Sequence, residues 1–297
     1  MGRTPALLIA GHGSRSQAGI EEFFALADRV RALAPGVAVG AGFLELAPPP
    51  LSVAAGDLVA EGHEEIVVVP LTLVGAGHAK ADIPTVVVIS RSDFPGARFT
   101  YARELGIHPD LLTVVTERLD ATVPPELRDQ TAVLLVGRGS SDPDANSDIL
   151  KVARLLWEGS LSGTRGWPAV EAAFVGITAP RVPEGLERCR RLGFHRIAVA
   201  PYFLFTGILE RRIAAQAEAF AAAHPDIDVQ LTRYLGPDDR VARLVLERYH
   251  EAVWGPVPRS CDSCVYRVTR ESPNLHHSHH HAGEGGGGAV ARGRGYE

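Results

Sequence analysis

Two histidines and one glutamate stand where short apolar runs end. His12 lies in Gly11-His12-Gly13-Ser14, directly after the run Ala6–Ala10. Glu45 closes Phe43-Leu44-Glu45, and His78 closes Gly75-Ala76-Gly77-His78, a few residues beyond Glu65–Leu71. Two imidazoles and a carboxylate form a donor set for Co²⁺, Fe²⁺, Ni²⁺ or Zn²⁺ and suit Mg²⁺ or Ca²⁺ poorly. Imidazole binds a metal in its neutral form, and an ordinary pKa of about 6.5 leaves that form abundant at cytoplasmic pH. The carboxylate can ligate as well, or accept a proton as a general base. A single histidine after a strand is more often a hydrogen-bonded loop residue. The case for chemistry therefore depends on what positions these three.

The surrounding pattern is strand–helix alternation from residue 5 to about 254. Strands are expected at Ala6–Ala10, Val37–Leu44, Glu65–Leu71 and Ala97–Tyr101, then at Thr131–Val136, Val170–Val175, Arg196–Tyr202 and Asp228–Tyr234. Amphipathic, Ala-rich stretches such as Gly19–Leu33 and Ile208–Ala223 lie between them. The alternation predicts parallel sheets covered by helices on both faces. The chain also repeats itself. Ala132–Asp142 echoes Ala6–Ser16, Phe174-Val175-Gly176 answers Phe43-Leu44-Glu45, and Val199-Ala200-Pro201-Tyr202 answers Val68-Val69-Pro70-Leu71. The expected architecture is α/β: two similar Rossmann-like domains, each a four-stranded parallel sheet flanked by helices, facing each other across a cleft. Their bounds are expected at 1–125 and 126–255. In such sheets ligands bind beyond the carboxyl ends of the strands, which is where His12, Glu45 and His78 fall. The second half has Arg138, Gly176 and Leu209 at the equivalent places. A structural histidine would survive duplication more readily, so this reads as one active half and one supporting half.

Residues 256–297 differ. Gly255-Pro256-Val257-Pro258 ends the last helix. Beyond it come Cys261-Asp-Ser-Cys264, a cluster of His276, His277, His279, His280 and His281, and a Gly-rich end. Such a composition builds no packed core. One CxxC is half of the usual four-thiolate zinc or iron–sulfur site. The histidine cluster suits auxiliary metal holding. Cys189, in a helical pattern, reads as a small core residue. A net charge of −5 argues against nucleic-acid binding. No apolar run reaches the roughly 20 residues of a membrane span. The N-terminus reads as a first strand, not a leader, and three cysteines fit a reducing cytoplasm.

The motifs LLIAGHGSR, AGFLELAPPPL and VVVPLTLVGAGHAKADIP, with VGRGSSDPDAN and VAPYFLFTGIL in the second half, together resemble the class II tetrapyrrole chelatases. Within that class they are most similar to the sirohydrochlorin cobaltochelatase and ferrochelatase group. The resemblance spans residue 5 to about 254. It implies that His12 and His78 hold the metal substrate, Co²⁺ or Fe²⁺, and that Glu45 assists. It further implies the internally duplicated form, in which only the N-terminal copy keeps the histidines, a monomer for the core. Long members of the group carry a CxxC and a His-rich stretch near the C-terminus, and an iron–sulfur cluster is associated with that motif. On this basis Cys261 and Cys264 are candidate cluster ligands, and a shared cluster would tie the tail to a dimer. The macrocycle is rich in carboxylates. Candidates to meet them are Ser14, Arg15, Lys80, Arg138, Ser140, Ser141, Arg211 and Arg212, through hydroxyl, backbone and guanidinium donors.

Three rivals lack their signatures or their need. A nicotinamide-dependent dehydrogenase requires G-x-G-x-x-G, and neither Gly11–Ser16 nor Gly137–Asp142 supplies the third glycine. A serine hydrolase requires G-x-S-x-G. A metal-storage protein or metallochaperone would use the histidine tail and would not need the cleft. Ligand chemistry hardly separates Co²⁺, for cobalamin synthesis, from Fe²⁺, for siroheme; the histidine tail tilts the expectation toward cobalt.

Overall fold

β1 (Ala6–Gly11) is buried along its whole length, and so is β5 (Thr131–Gly137). Their unbroken apolar sequence is what a strand covered on both faces requires. The computed structural model describes residues 4–75, 93–159 and 166–255. Within them the first half runs β1, α1 (Gln17–Leu33), β2 (Val39–Phe43), α2 (Leu51–Ala60), β3 (Glu65–Pro70), β4 (Arg98–Tyr101) and α3 (Pro109–Thr122). A 3₁₀ turn, Pro125–Gln130, leads to the second half. That half runs β5, α4 (Pro143–Glu158), β6 (Ala169–Phe174), α5 (Val182–Arg191), β7 (Arg196–Pro201), α6 (Ile208–Ala223), β8 (Asp228–Leu231) and α7 (Asp239–Trp254).

The strands form two four-stranded sheets, ordered β2-β1-β3-β4 and β6-β5-β7-β8, with every pairing parallel. The chain steps from β1 to β2 on one side and then crosses back over β1 to β3 on the other. The carboxyl ends of β1 and β3 therefore flank the switch point where a ligand crevice opens. The second sheet repeats this at β5 and β7. Two expected strands are shorter in the fold. The run at Val37 starts late because the Val37 amide bonds Ala34 O, closing the turn after α1. The run after Asp228 ends at Leu231, since the chain bends toward Gly236, whose φ is +73°.

Alternate residues of each central strand serve different cores. Ala6, Leu8 and Ala10 pack under α2, while Leu7 and Ile9 join a larger cluster. Ala132, Leu134 and Val136 pack under α5 and α6, while Val133 and Leu135 join that same larger cluster. One apolar core thus belongs to both halves, and all described residues fall in a single compact unit.

The last helix of each half is exchanged. α7 packs against β3 and α1 of the first sheet, and α3 packs against β7 and α4 of the second. The exchange is secured by polar groups that are costly to bury unpaired. The Arg248 guanidinium is fully buried on α7. It donates to the carbonyls of Glu104 (3.1 Å) and Leu105 (2.7 Å) and to the Glu251 carboxylate (3.2 Å). Arg103 grips Glu251 with two bonds of 2.9 Å, and Arg240 grips Glu117 in the same way at 2.8 and 3.0 Å. The expected division at 125/126 separates the two sheets, but the helices that close each core cross that line. Cys189 is buried in the second core, in keeping with its reading as an apolar residue.

Candidate functional site

β1 delivers the chain into Gly11-His12-Gly13, and β2 delivers it into Leu44-Glu45. The ladder continues past the strands: Leu44 N donates to Gly11 O (2.9 Å) and Glu45 N to His12 O (3.1 Å). Gly13 makes this approach possible. Its φ is +110°, and a Cβ there would lie 1.8 Å from Glu45 O, so no side chain fits. The two segments are pressed together, and the His12 Nε2 stands 3.2 Å from Glu45 Oε1. Both side chains are part-exposed. Among the described residues no group of three His, Cys, Asp or Glu side chains converges on a metal position. His78 and Lys80 lie outside the described residues, as do Cys261, Cys264 and the histidines at 276, 277 and 279–281.

The second half copies the scaffold and replaces the donors. Val175 N donates to Gly137 O (3.0 Å) and Gly176 N to Arg138 O (3.0 Å). Gly139, at φ +86°, abuts Gly176 O as Gly13 abuts Glu45 O. Arg138 therefore occupies the backbone position of His12, and Gly176 that of Glu45. Leu209 lies in the first turn of α6.

These turns line a cleft of about 770 Å³, within the usual range for small-molecule sites. His12, Ser14, Arg15, Glu45, Arg138 and Ser140 all border it. Of the other described candidates, Ser141, Arg211 and Arg212 are exposed and not among its lining residues, although α6 opens at the cleft wall. Ser14 Oγ accepts from Ser16 N (3.0 Å), leaving its own proton to donate. Ser140 Oγ accepts from Asp142 N in the same manner (3.0 Å). The guanidinium groups of Arg15, Arg138, Arg211 and Arg212 have no ion-pair or hydrogen-bond partner among the described residues, whereas Arg103, Arg118, Arg196, Arg240 and Arg248 are paired. Arg15 and Arg138, which border the cleft, thus make its edge attractive to anions.

Several residues here escape sequence reasoning. Asn146 clamps the second turn, accepting from Ser140 N (2.9 Å) and donating to Ser140 O (2.8 Å). Glu22 reaches from α1 to the opposite wall, accepting from Thr206 N (2.8 Å) and the Tyr234 hydroxyl (2.5 Å). Burial and Glu22 together push the Tyr234 phenol up to about 12. Tyr202 borders the cleft while only 3% exposed, and burial raises its phenol far above the usual range. Asn146 ends the stretch VGRGSSDPDAN, where an Asn in the first turn of a helix was the available signal. Glu22 gave none, because its partners are more than 180 residues away.

The chain matches the CbiX family model over residues 6–122 and again over 132–252. It belongs to the CbiX family. The double match coincides with the two halves of the fold. A sirohydrochlorin cobaltochelatase of Priestia megaterium is 36% identical over 89% of this chain and 85% of its own length. A sirohydrochlorin ferrochelatase of the same organism is 31% identical over 81% of this chain and 87% of its own. Among solved structures, SirB from Bacillus subtilis with Fe³⁺ superposes with a TM-score of 0.71 at 31% identity, covering 84% of this chain and 96% of that one. The two four-stranded parallel sheets expected from the sequence are the fold of this family.

Proposed function

We propose that this protein is a sirohydrochlorin chelatase that inserts Co²⁺ into the macrocycle, with Fe²⁺ as the alternative metal. The observation that carries the reading is the 3.2 Å separation of His12 Nε2 and Glu45 Oε1 at the strand ends that open the cleft. Two donors held about 2.0–2.2 Å from one divalent ion, at tetrahedral or octahedral angles, stand about 2.8–3.6 Å apart. The pair is spaced to share an ion. His78, eight residues after Pro70 in the sequence, is the third donor we assign. The tetrapyrrole substrate, with cobalt or iron as the inserted metal, is supported by relatives named for each metal.

Each residue then has a task. Insertion exchanges two pyrrole N–H protons for one divalent ion. Imidazole replaces water on the ion and can release it again. The Glu45 carboxylate, part-exposed at the cleft edge, accepts the two protons one after the other and passes each to solvent. Arg15, Arg138, Ser14 and Ser140 meet the ring's carboxylates through charge-assisted bonds, with Arg211 and Arg212 adding to the field at the mouth. Both walls come from one chain, so a monomer suffices. No helix of the described residues is long and apolar enough to cross a membrane, and the cytoplasm is the compartment we assign.

The test is spectrophotometric. Protein, sirohydrochlorin and either Co²⁺ or anaerobic Fe²⁺ are mixed, and the visible band of the metallated product is followed. The expected result is a protein-dependent rate that is higher with Co²⁺. A higher rate with Fe²⁺ would reassign the metal. A rate equal to the protein-free control with both would sink the reading.

A further inference from the structure

Directly after Glu45 the backbone makes an uncommon turn. Leu46 has a φ of +67°, and Ala47 N donates to Glu45 O at 2.8 Å. A bond from residue i to i+2 around a positive-φ centre is the rare, strained form of the γ-turn. The second half makes the same turn: Ile177 has a φ of +62°, and Thr178 N donates to Gly176 O at 2.7 Å. Glycine or asparagine fits such a position at little cost, whereas leucine and especially a β-branched isoleucine do not. Strain of this kind persists where surrounding structure enforces it, and it gathers at functional sites.

Leu46 is unfavourable in a second way. Its apolar side chain is 48% exposed, beside the His12–Glu45 pair, and it borders the cleft. Ile208, 52% exposed, borders the same cleft from the other half. Ile177 is exposed too but is not among the cleft's lining residues. Local backbone preference and solvent exposure both argue against leucine at 46. A ligand that covers the side chain would supply the missing term.

We infer that Leu46 is a substrate-contact residue: its side chain packs against the apolar face of the tetrapyrrole and holds the ring over the His12–Glu45 pair. This rests on the chelatase reading above. The unpaired arginines answer the ring's charged periphery, and Leu46 answers its face. Burying an exposed leucine against a flat conjugated surface favours binding through loss of apolar area to water. The turn's role is to present the side chain at the cleft edge while the adjacent Glu45 stays on the ladder with His12.

The test is a metal-free titration of sirohydrochlorin into the full-length protein, read by the tetrapyrrole's absorbance, with a thermal melt of each variant. Leu46→Asn keeps a side chain that tolerates the turn and removes its apolar surface. Its Kd should rise on the order of 10-fold while Tm holds or rises. Leu46→Met retains the apolar contact, and its Kd should stay within about 2-fold of wild type. Ile177→Asn relieves the matching turn away from the cleft, so Tm should hold or rise with Kd unchanged. An unchanged Kd for Leu46→Asn overturns the inference, as does an equal rise for Ile177→Asn, which would implicate turn shape instead of contact. Failure of the wild type to bind sirohydrochlorin would overturn the chelatase reading itself, a separate result.

Discussion

At the scale of single residues, the site is an asymmetry laid on a symmetric scaffold. Gly13 and Gly139 perform the same backbone task, yet one turn presents His12 and the other Arg138. If Glu45 accepts the pyrrole proton, Glu45→Gln should lower kcat by a factor on the order of 10²–10⁴, the range for general acid–base groups. Sirohydrochlorin affinity should change far less, and steady-state kinetics separate the two. Arg138→Ala should do the reverse, raising KM by roughly 10-fold through loss of a charge-assisted bond with kcat nearly unchanged. A kcat loss without a KM effect would move Arg138 out of the substrate-binding role. His12 and Glu45 were legible in the sequence because ligand-capable residues at strand ends stand out, more so when a repeat lacks them. Leu46 and Glu22 were not legible, and Asn146 left only its place in the first turn of a helix. A positive φ, a side chain folded back onto its own turn, and a partner far along the chain leave no periodic trace.

At the scale of elements, strands and sheets were readable because burial on both faces demands unbroken apolar runs of fixed length. The helix exchange was not. Nothing in the amphipathic pattern of α3 or α7 says which sheet its apolar face will meet, since both sheets are apolar on their inner faces. The exchange predicts strong interdependence of the halves. If the chain is cut within the 3₁₀ turn Pro125–Gln130, each half alone lacks the helix that closes its core and should be insoluble or molten. Co-expressed halves should instead copurify and give the circular dichroism spectrum and melt of the intact chain. Two soluble halves that melt cooperatively in isolation would show that each closes its own core.

At the scale of the whole molecule, several tyrosines report on the fold. Tyr101, Tyr202 and Tyr249 are raised by burial, and Tyr234 is pushed up to about 12 by burial and Glu22. An unfolded tyrosine releases its proton near pH 10, while these retain theirs in the native state. Between pH 10 and 12 the unfolded chain therefore binds fewer protons, and stability must fall as pH rises. Below pH 10 both states are protonated and these groups impose no slope. Urea midpoints should be flat from pH 8 to 9.5 as far as these four tyrosines are concerned and drop above pH 10, with their phenolate absorbance appearing only on unfolding. Phenolate absorbance near pH 10 in a native Tyr266→Phe/Tyr296→Phe variant, which keeps only these four tyrosines, would show their hydroxyls to be solvated.

On the proposed mechanism, the His12 side of one cleft holds the metal as it enters the ring. This role is tested most directly by the rate of cobalt insertion into sirohydrochlorin for wild type and His12→Ala. Both are measured at saturating tetrapyrrole and Co²⁺, after circular dichroism shows matching folds. Wild type should insert cobalt fast, and His12→Ala should be no faster than the protein-free control. A His12→Ala protein that inserts cobalt at the wild-type rate would contradict it.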